Sequence, residues 1–124
     1  MKVVFLNAKE NKAPATIDIK DDLKVFYDLI GCRTIDIPTR QIGKHLYSII
    51  CDDEGLFDPE PKLSAFGENG QSLVGNLIIA GMPDDDGELT DLTDSQIAEI
   101  RKNTLTCIRE NGGKIEIFYC LKIA

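Results

Sequence analysis

Leu63–Gly81, LSAFGENGQSLVGNLIIAG, holds four glycines (Gly67, Gly70, Gly75, Gly81), one aromatic ring (Phe66) and two asparagines (Asn69, Asn76). It then runs into the apolar series Leu77-Ile78-Ile79. Glycine at this density lets backbone come close to something, either another strand or a ligand. Leu73–Gly81 reads as one buried strand, and Pro83-Asp84-Asp85-Asp86-Gly87 turns the chain away from it.

Working outward, more strand patterns appear than helical ones. Lys2–Leu6 carries the unbroken run Val3-Val4-Phe5-Leu6, which suggests burial on both faces. Ala15–Lys20 alternates, with Ile17 and Ile19 on one side and Thr16 and Asp18 on the other. Arg33–Pro38 and Leu46–Cys51 are further strand candidates, Asp52-Asp53-Glu54-Gly55 is a turn, and Phe57–Lys62, with two prolines, is loop or edge strand.

Two segments have helical spacing. Residues 22–30 place Leu23, Phe26, Tyr27 and Ile30 on one face, with Asp21 or Asp22 as cap and Gly31 as stop. Residues 94–111 open with a Thr93/Gln96 capping-box pattern and run to Asn111-Gly112-Gly113, with Ile97, Ile100, Thr104, Cys107 and Ile108 as the buried stripe. Lys114–Ile123 closes the chain as a strand. The expectation is a single α+β domain, 1–124, with a mixed or mainly antiparallel sheet, one long C-terminal helix (94–111) and one short helix (22–30).

The chain of 124 residues has 14 basic against 21 acidic side chains, a formal charge of −7. That argues against nucleic acid or an anionic membrane as partner, since either needs a contiguous basic face. The four cysteines (Cys32, Cys51, Cys107, Cys120) contain no CxxC pair, so no zinc site is expected. The amino terminus lacks the long apolar stretch of a secretion signal and no segment reaches transmembrane length, so the expected location is the cytoplasm.

Catalytic and metal patterns are weak. His45, the one histidine, has no partner nucleophile or orienting acid nearby in sequence. The acidic turn Asp84–Glu88 fails the calcium-loop spacing, because Met82 falls at the first ligand position. No Walker motif or GxGxxG is present. No catalytic residue, metal or cofactor is therefore assigned.

What remains suits binding. Arg33, Arg40, Arg101 and Arg109 are the guanidinium groups, able to fork two donors onto one phosphate. Arg109, read as the last turn of the long helix, would equally favour a helix carboxyl end. Phe66 stands between Ala65 and Gly67, which leaves its ring open to base stacking or to core packing. Asn76 interrupts an apolar run, and a buried amide needs partners that a base edge or ribose hydroxyl could supply.

Together, CRTIDI (Cys32–Ile37), the Ile49–Gly55 strand and turn, VGNLIIAG (Val74–Gly81) and LTDLTDSQIAEI (Leu89–Ile100) resemble a phage and mobile-element domain family over roughly residues 15–105. Some of its members are anti-Thoeris proteins. These act as sponges that sequester a cyclic ADP-ribose isomer made by bacterial TIR enzymes, without cleaving it. The resemblance implies a non-enzymatic homodimer or higher homo-oligomer in the host bacterial cytoplasm, with ligand pockets at a subunit interface. It implies Phe66, Asn76, Arg109 and Arg40 as ligand-binding residues. The alternative class is an acidic phage protein that inhibits a host protein by direct binding to a basic surface, supported by the −7 charge together with the Asp84–Glu88 turn. A small hydrolase using His45 is the third.

Overall fold

In the computed structural model, which describes residues 1–124, the elements run β1 (Lys2–Leu6), β2 (Ala15–Asp18), α1 (Leu23–Ile30), β3 (Ile35–Asp36), β4 (Thr39–Ile42), β5 (His45–Asp52) and β6 (Leu63–Gly67). They continue as β7 (Ser72–Val74), β8 (Leu77–Ala80), α2 (Asp94–Lys102), β9 (Thr104–Asn111) and β10 (Lys114–Ile123). Short 3-10 turns lie at Ala8–Glu10 and Gly55–Phe57.

The larger sheet is antiparallel, in the order β2-β1-β8-β5, with β3 and β4 both on the far edge of β5. The smaller sheet runs β7-β6-β10-β9, and its β6–β10 pair is parallel. The class is α+β with antiparallel and mixed sheets, as the strand count implied.

Successive side chains of a strand face opposite ways, and both faces of the larger sheet are buried. On one face Val3, Ile50, Ile78 and Ala80 pack with Phe26 and Ile30 of α1. On the other, Val4, Leu6, Tyr47, Ile49, Leu77 and Ile79 meet Ile97 and Ile100 of α2, and Ala65, Leu121 and Ile123 of the smaller sheet. The apolar run in Lys2–Leu6 thus does mark burial on both sides.

Helix α1 is built as its sequence implied. Asp22 Oδ1 accepts the Lys24 N–H at 2.9 Å, and Gly31 closes the helix in the left-handed region at φ 76°. Helix α2 begins with the expected capping box, Thr93 and Gln96 each bonding the other's backbone N–H. Its far end corrects the expected helix 94–111, because α2 stops at Lys102 and residues 104–111 are strand β9. Thr104, Thr106 and Ile108 are β-branched and favour a strand. Gly112 and Gly113, at φ 59° and 81°, form the two-residue turn of a β9–β10 hairpin instead of a helix stop.

The strand expected over Leu73–Gly81 is also two. Gly75, at φ 80°, bends the chain between β7 in the smaller sheet and β8 in the larger one. Close backbone approach occurs at Gly81, where a Cβ would lie 2.9 Å from the Thr90 carbonyl oxygen that accepts the Gly81 N–H.

Glu99 ties α2 to the β4–β5 hairpin. Its Oε1 accepts the Tyr47 hydroxyl at 2.6 Å and lies 2.8 Å from His45 Nδ1, while Oε2 accepts the Lys44 N–H at 3.2 Å. The Tyr47 hydrogen bond, with smaller help from His45, holds the Glu99 carboxyl below its ordinary 4.5. A depressed carboxyl contributes stability that is present above 4.5 and is lost as pH falls through the lower folded value. We expect Glu99→Gln to lower stability at neutral pH and to flatten the decline below pH 4.5, read by urea melts across pH. An unchanged acid limb would contradict this role.

Candidate functional site

The four residues expected to bind ligand lie in four different settings. Asn76 lies in the link between β7 and β8 and is 7 % exposed. Its Oδ1 accepts the Lys9 N–H at 3.0 Å, and its Nδ2 donates to the Leu29 carbonyl at 3.0 Å. Lys9 in turn donates Nζ to the Ile30 and Gly31 carbonyls at the end of α1, at 3.0 and 3.2 Å. The buried amide therefore finds its partners within the chain, and the set staples the Ala8–Glu10 turn to α1.

Arg109 is on β9, a correction to its expected place in the last turn of a helix. Its Nε donates to Glu116 Oε2 at 2.9 Å, its terminal nitrogen donates to Asn11 Oδ1 at 2.9 Å, and its guanidinium lies 4.5 Å from the centre of the Phe118 ring. This pairing holds the Glu116 carboxyl below its usual range.

Phe66 is half-buried on β6, on the face opposite the core residue Ala65. Arg40 stands on β4 opposite Tyr47, so its side chain shares the face turned to the smaller sheet. Its terminal nitrogen donates to the Thr39 carbonyl at 2.9 Å, and its buried Nε has no hydrogen-bond partner. None of the five main clefts is lined by any of these four residues.

The largest cleft lies elsewhere, about 670 Å³ in volume, between the end of α1 and the loop after β5. Lys9, Tyr27, Asp28, Asp52, Phe57 and Asp58 line it. Arg33 forks onto Glu54 through Nε and a terminal nitrogen at 3.0 and 3.2 Å, which holds that carboxyl low and takes the arginine out of play. What faces the opening is thus predominantly acidic. Beside it the Gly55–Phe57 turn exposes Leu56 and Phe57 at 76 % and 82 %. Between Asp52 and Glu60 there are five carboxylates and no cation.

In sequence this stretch reads as a turn followed by loop or edge strand. The signal available was the apolar pair Leu56-Phe57 set inside DDEGLFDPE, an arrangement that a buried loop would not carry.

The histidine has a carboxylate partner that its neighbours in sequence do not reveal, since Glu99 comes from α2. Ser95 lines the same 210 Å³ cleft but makes no hydrogen bond to His45. Burial pushes the Cys51 thiol up to about 12 and the Cys120 thiol up to about 11, which makes both poor nucleophiles. Asp84 in the acidic turn accepts the Asp86 and Glu88 N–H groups, closing its own loop. No helix is long and apolar enough to cross a membrane.

A family model described as Domain of unknown function (DUF3846) matches residues 1–105, and the chain belongs to that family. A stretch of 59 residues is 32 % identical to the bifunctional helicase and thymine dioxygenase JBP2 of Trypanosoma brucei brucei (strain 927/4 GUTat10.1), covering 44 % of this chain and 6 % of that protein. No solved structure matches.

If Asn76 serves the fold as its bonds indicate, Asn76→Ala removes the partner of two part-buried groups, the Lys9 N–H and the Leu29 carbonyl. We expect it to lower unfolding free energy by about 1–3 kcal/mol, measured by urea denaturation. Wild-type stability in that variant would free Asn76 for a ligand role.

Proposed function

We propose that this member of the DUF3846 family is an acidic docking protein that engages a basic surface of another protein through Leu56 and Phe57. The observation that supports this best is the exposure of that apolar pair, at 76 % and 82 %, within a stretch of sequence that carries five carboxylates and no cation. An aromatic anchor with a charged rim is the arrangement that concentrates binding energy at protein interfaces. The adjacent cleft, with Tyr27, Phe57, Asp28, Asp52 and Asp58 at its walls, suits a lysine or arginine side chain of the partner. Its acidic balance opposes a phosphate-bearing ligand at the same place.

Cationic amphipathic peptides test the proposal. Fluorescence anisotropy is expected to show binding that weakens steeply with salt. Phe57→Ala should cost about 2 kcal/mol, roughly thirty-fold in affinity, with an unchanged melting temperature. Binding indifferent to Phe57→Ala and to Asp58→Lys would remove the reading.

The second reading is sequestration of a cyclic ADP-ribose-type signal, the role the family resemblance implies. It is favoured by Arg40, whose buried Nε lacks a partner and leaves a guanidinium with capacity for an anion. Because Asn76 and Arg109 already bond within the chain and no main cleft includes Phe66 or Arg40, such a pocket would draw on two copies. Incubation with the TIR-derived signal, followed by heat denaturation, is expected to release it intact from wild type, with Arg40→Ala capturing less. No depletion of free signal by wild type would exclude this reading.

A further inference from the structure

We infer that the β9–β10 hairpin is a self-association surface, through which a second copy of this chain adds its own β9 antiparallel to the first. Strand β9 is the terminal strand of the smaller sheet and pairs only with β10, so its outer backbone groups are unpaired over eight residues. Edge strands that stay solitary carry lysines, prolines, bulges or a cover. β9 is TLTCIREN, with no lysine or proline, and its one cation, Arg109, is turned back onto Glu116 and Asn11.

The hairpin is also apolar where it leaves the body. Ile108 lies opposite Ile117, on the face that continues inward to Tyr119 and the core residue Leu121. Ile108, Ile117 and Ile115 on that face are 70 %, 54 % and 76 % exposed. The core face of the sheet thus extends past what the single chain covers.

Charge selects the occupant. A chain of −7 repels its own copy over most of its surface. From Thr104 to the end, Arg109, Lys114 and Lys122 outnumber Glu110 and Glu116, so the hairpin is the stretch where two copies meet without that penalty. A two-fold axis normal to the sheet keeps like faces together, so paired positions share parity. With Ile108 opposite Ile108 of the partner subunit, Thr106 meets Glu110 and Cys107 meets Arg109, and no like charges oppose. A register centred on Arg109 or on Glu110 would set like charges face to face. The pairing yields a continuous sheet of eight strands, with both Arg109 side chains on one face beside the axis.

Sedimentation velocity of the full chain at high micromolar concentration should give a dimer. Ile108→Lys places a guard on an already exposed position and should return the monomer with an unchanged circular dichroism spectrum, weakening dimerisation by on the order of tenfold or more. Ile108→Cys should form an intermolecular disulfide under mild oxidation, while the wild-type chain, with Cys107 offset, does not. A monomeric wild type, or a dimer that survives Ile108→Lys, overturns the inference. A dimer that Ile108→Cys fails to cross-link overturns the register.

Discussion

Four consecutive side chains, Leu77 to Ala80, are sealed from water, and a strand cannot achieve that from one side. Leu77 and Ile79 point into the layer shared with α2 and the smaller sheet, while Ile78 and Ala80 point toward α1. The larger sheet therefore needs a cover on each face, and the remaining elements are arranged to supply them. Helix α1 closes one side, held at its carboxyl end by Lys9 and by the Asn76 staple. Helix α2 and strands β6 and β10 close the other, held by the Glu99 contacts to the β4–β5 hairpin.

That two-sided demand uses up most of the chain's polar specialists. Asn76, Glu99 and Arg109 each have the chemistry of a ligand-binding residue, and each is satisfied within the chain. The groups left facing outward are of another kind. They are an apolar turn among carboxylates at Gly55–Phe57 and the apolar face and free edge of the β9–β10 hairpin. The docking and self-association proposed above draw on these two surfaces. In that proposal the acidic balance separates the two surfaces, since the charged residues of the Asp52–Glu60 stretch are all acidic and the hairpin is locally near neutral.

Much of the fold was legible because its signals are local. Lys2–Leu6 and Lys114–Ile123 emerged with the boundaries their apolar runs implied, as did α1 with its Asp22 and Gly31 caps. The helix expected to reach Asn111 failed because Ile97, Ile100, Thr104, Cys107 and Ile108 fit a helical period while the β-branched residues and the Gly-Gly turn favoured a hairpin. Tertiary pairing with β10 decided between them. The roles of the polar side chains were less legible for a plainer reason. Asn76 meets Lys9 and Leu29 across wide sequence separations, and Glu99 reaches His45 from another element, so no spacing announces either. Phe57 was visible as an aromatic in a proline-bordered loop, but only the structure shows how little covers it.

Amide hydrogen exchange of the full chain, compared at low and high protein concentration, tests most directly the claim that a doubly covered sheet carries outward-facing contact surfaces. Amides of β5 and β8 should exchange slowest and independently of concentration, and the Gly55–Phe57 turn should exchange fast in both conditions. Amides of β9 should exchange fast when dilute and become protected when concentrated. Concentration-independent protection of β9, or exchange in β8 as fast as in the turn, would contradict the account.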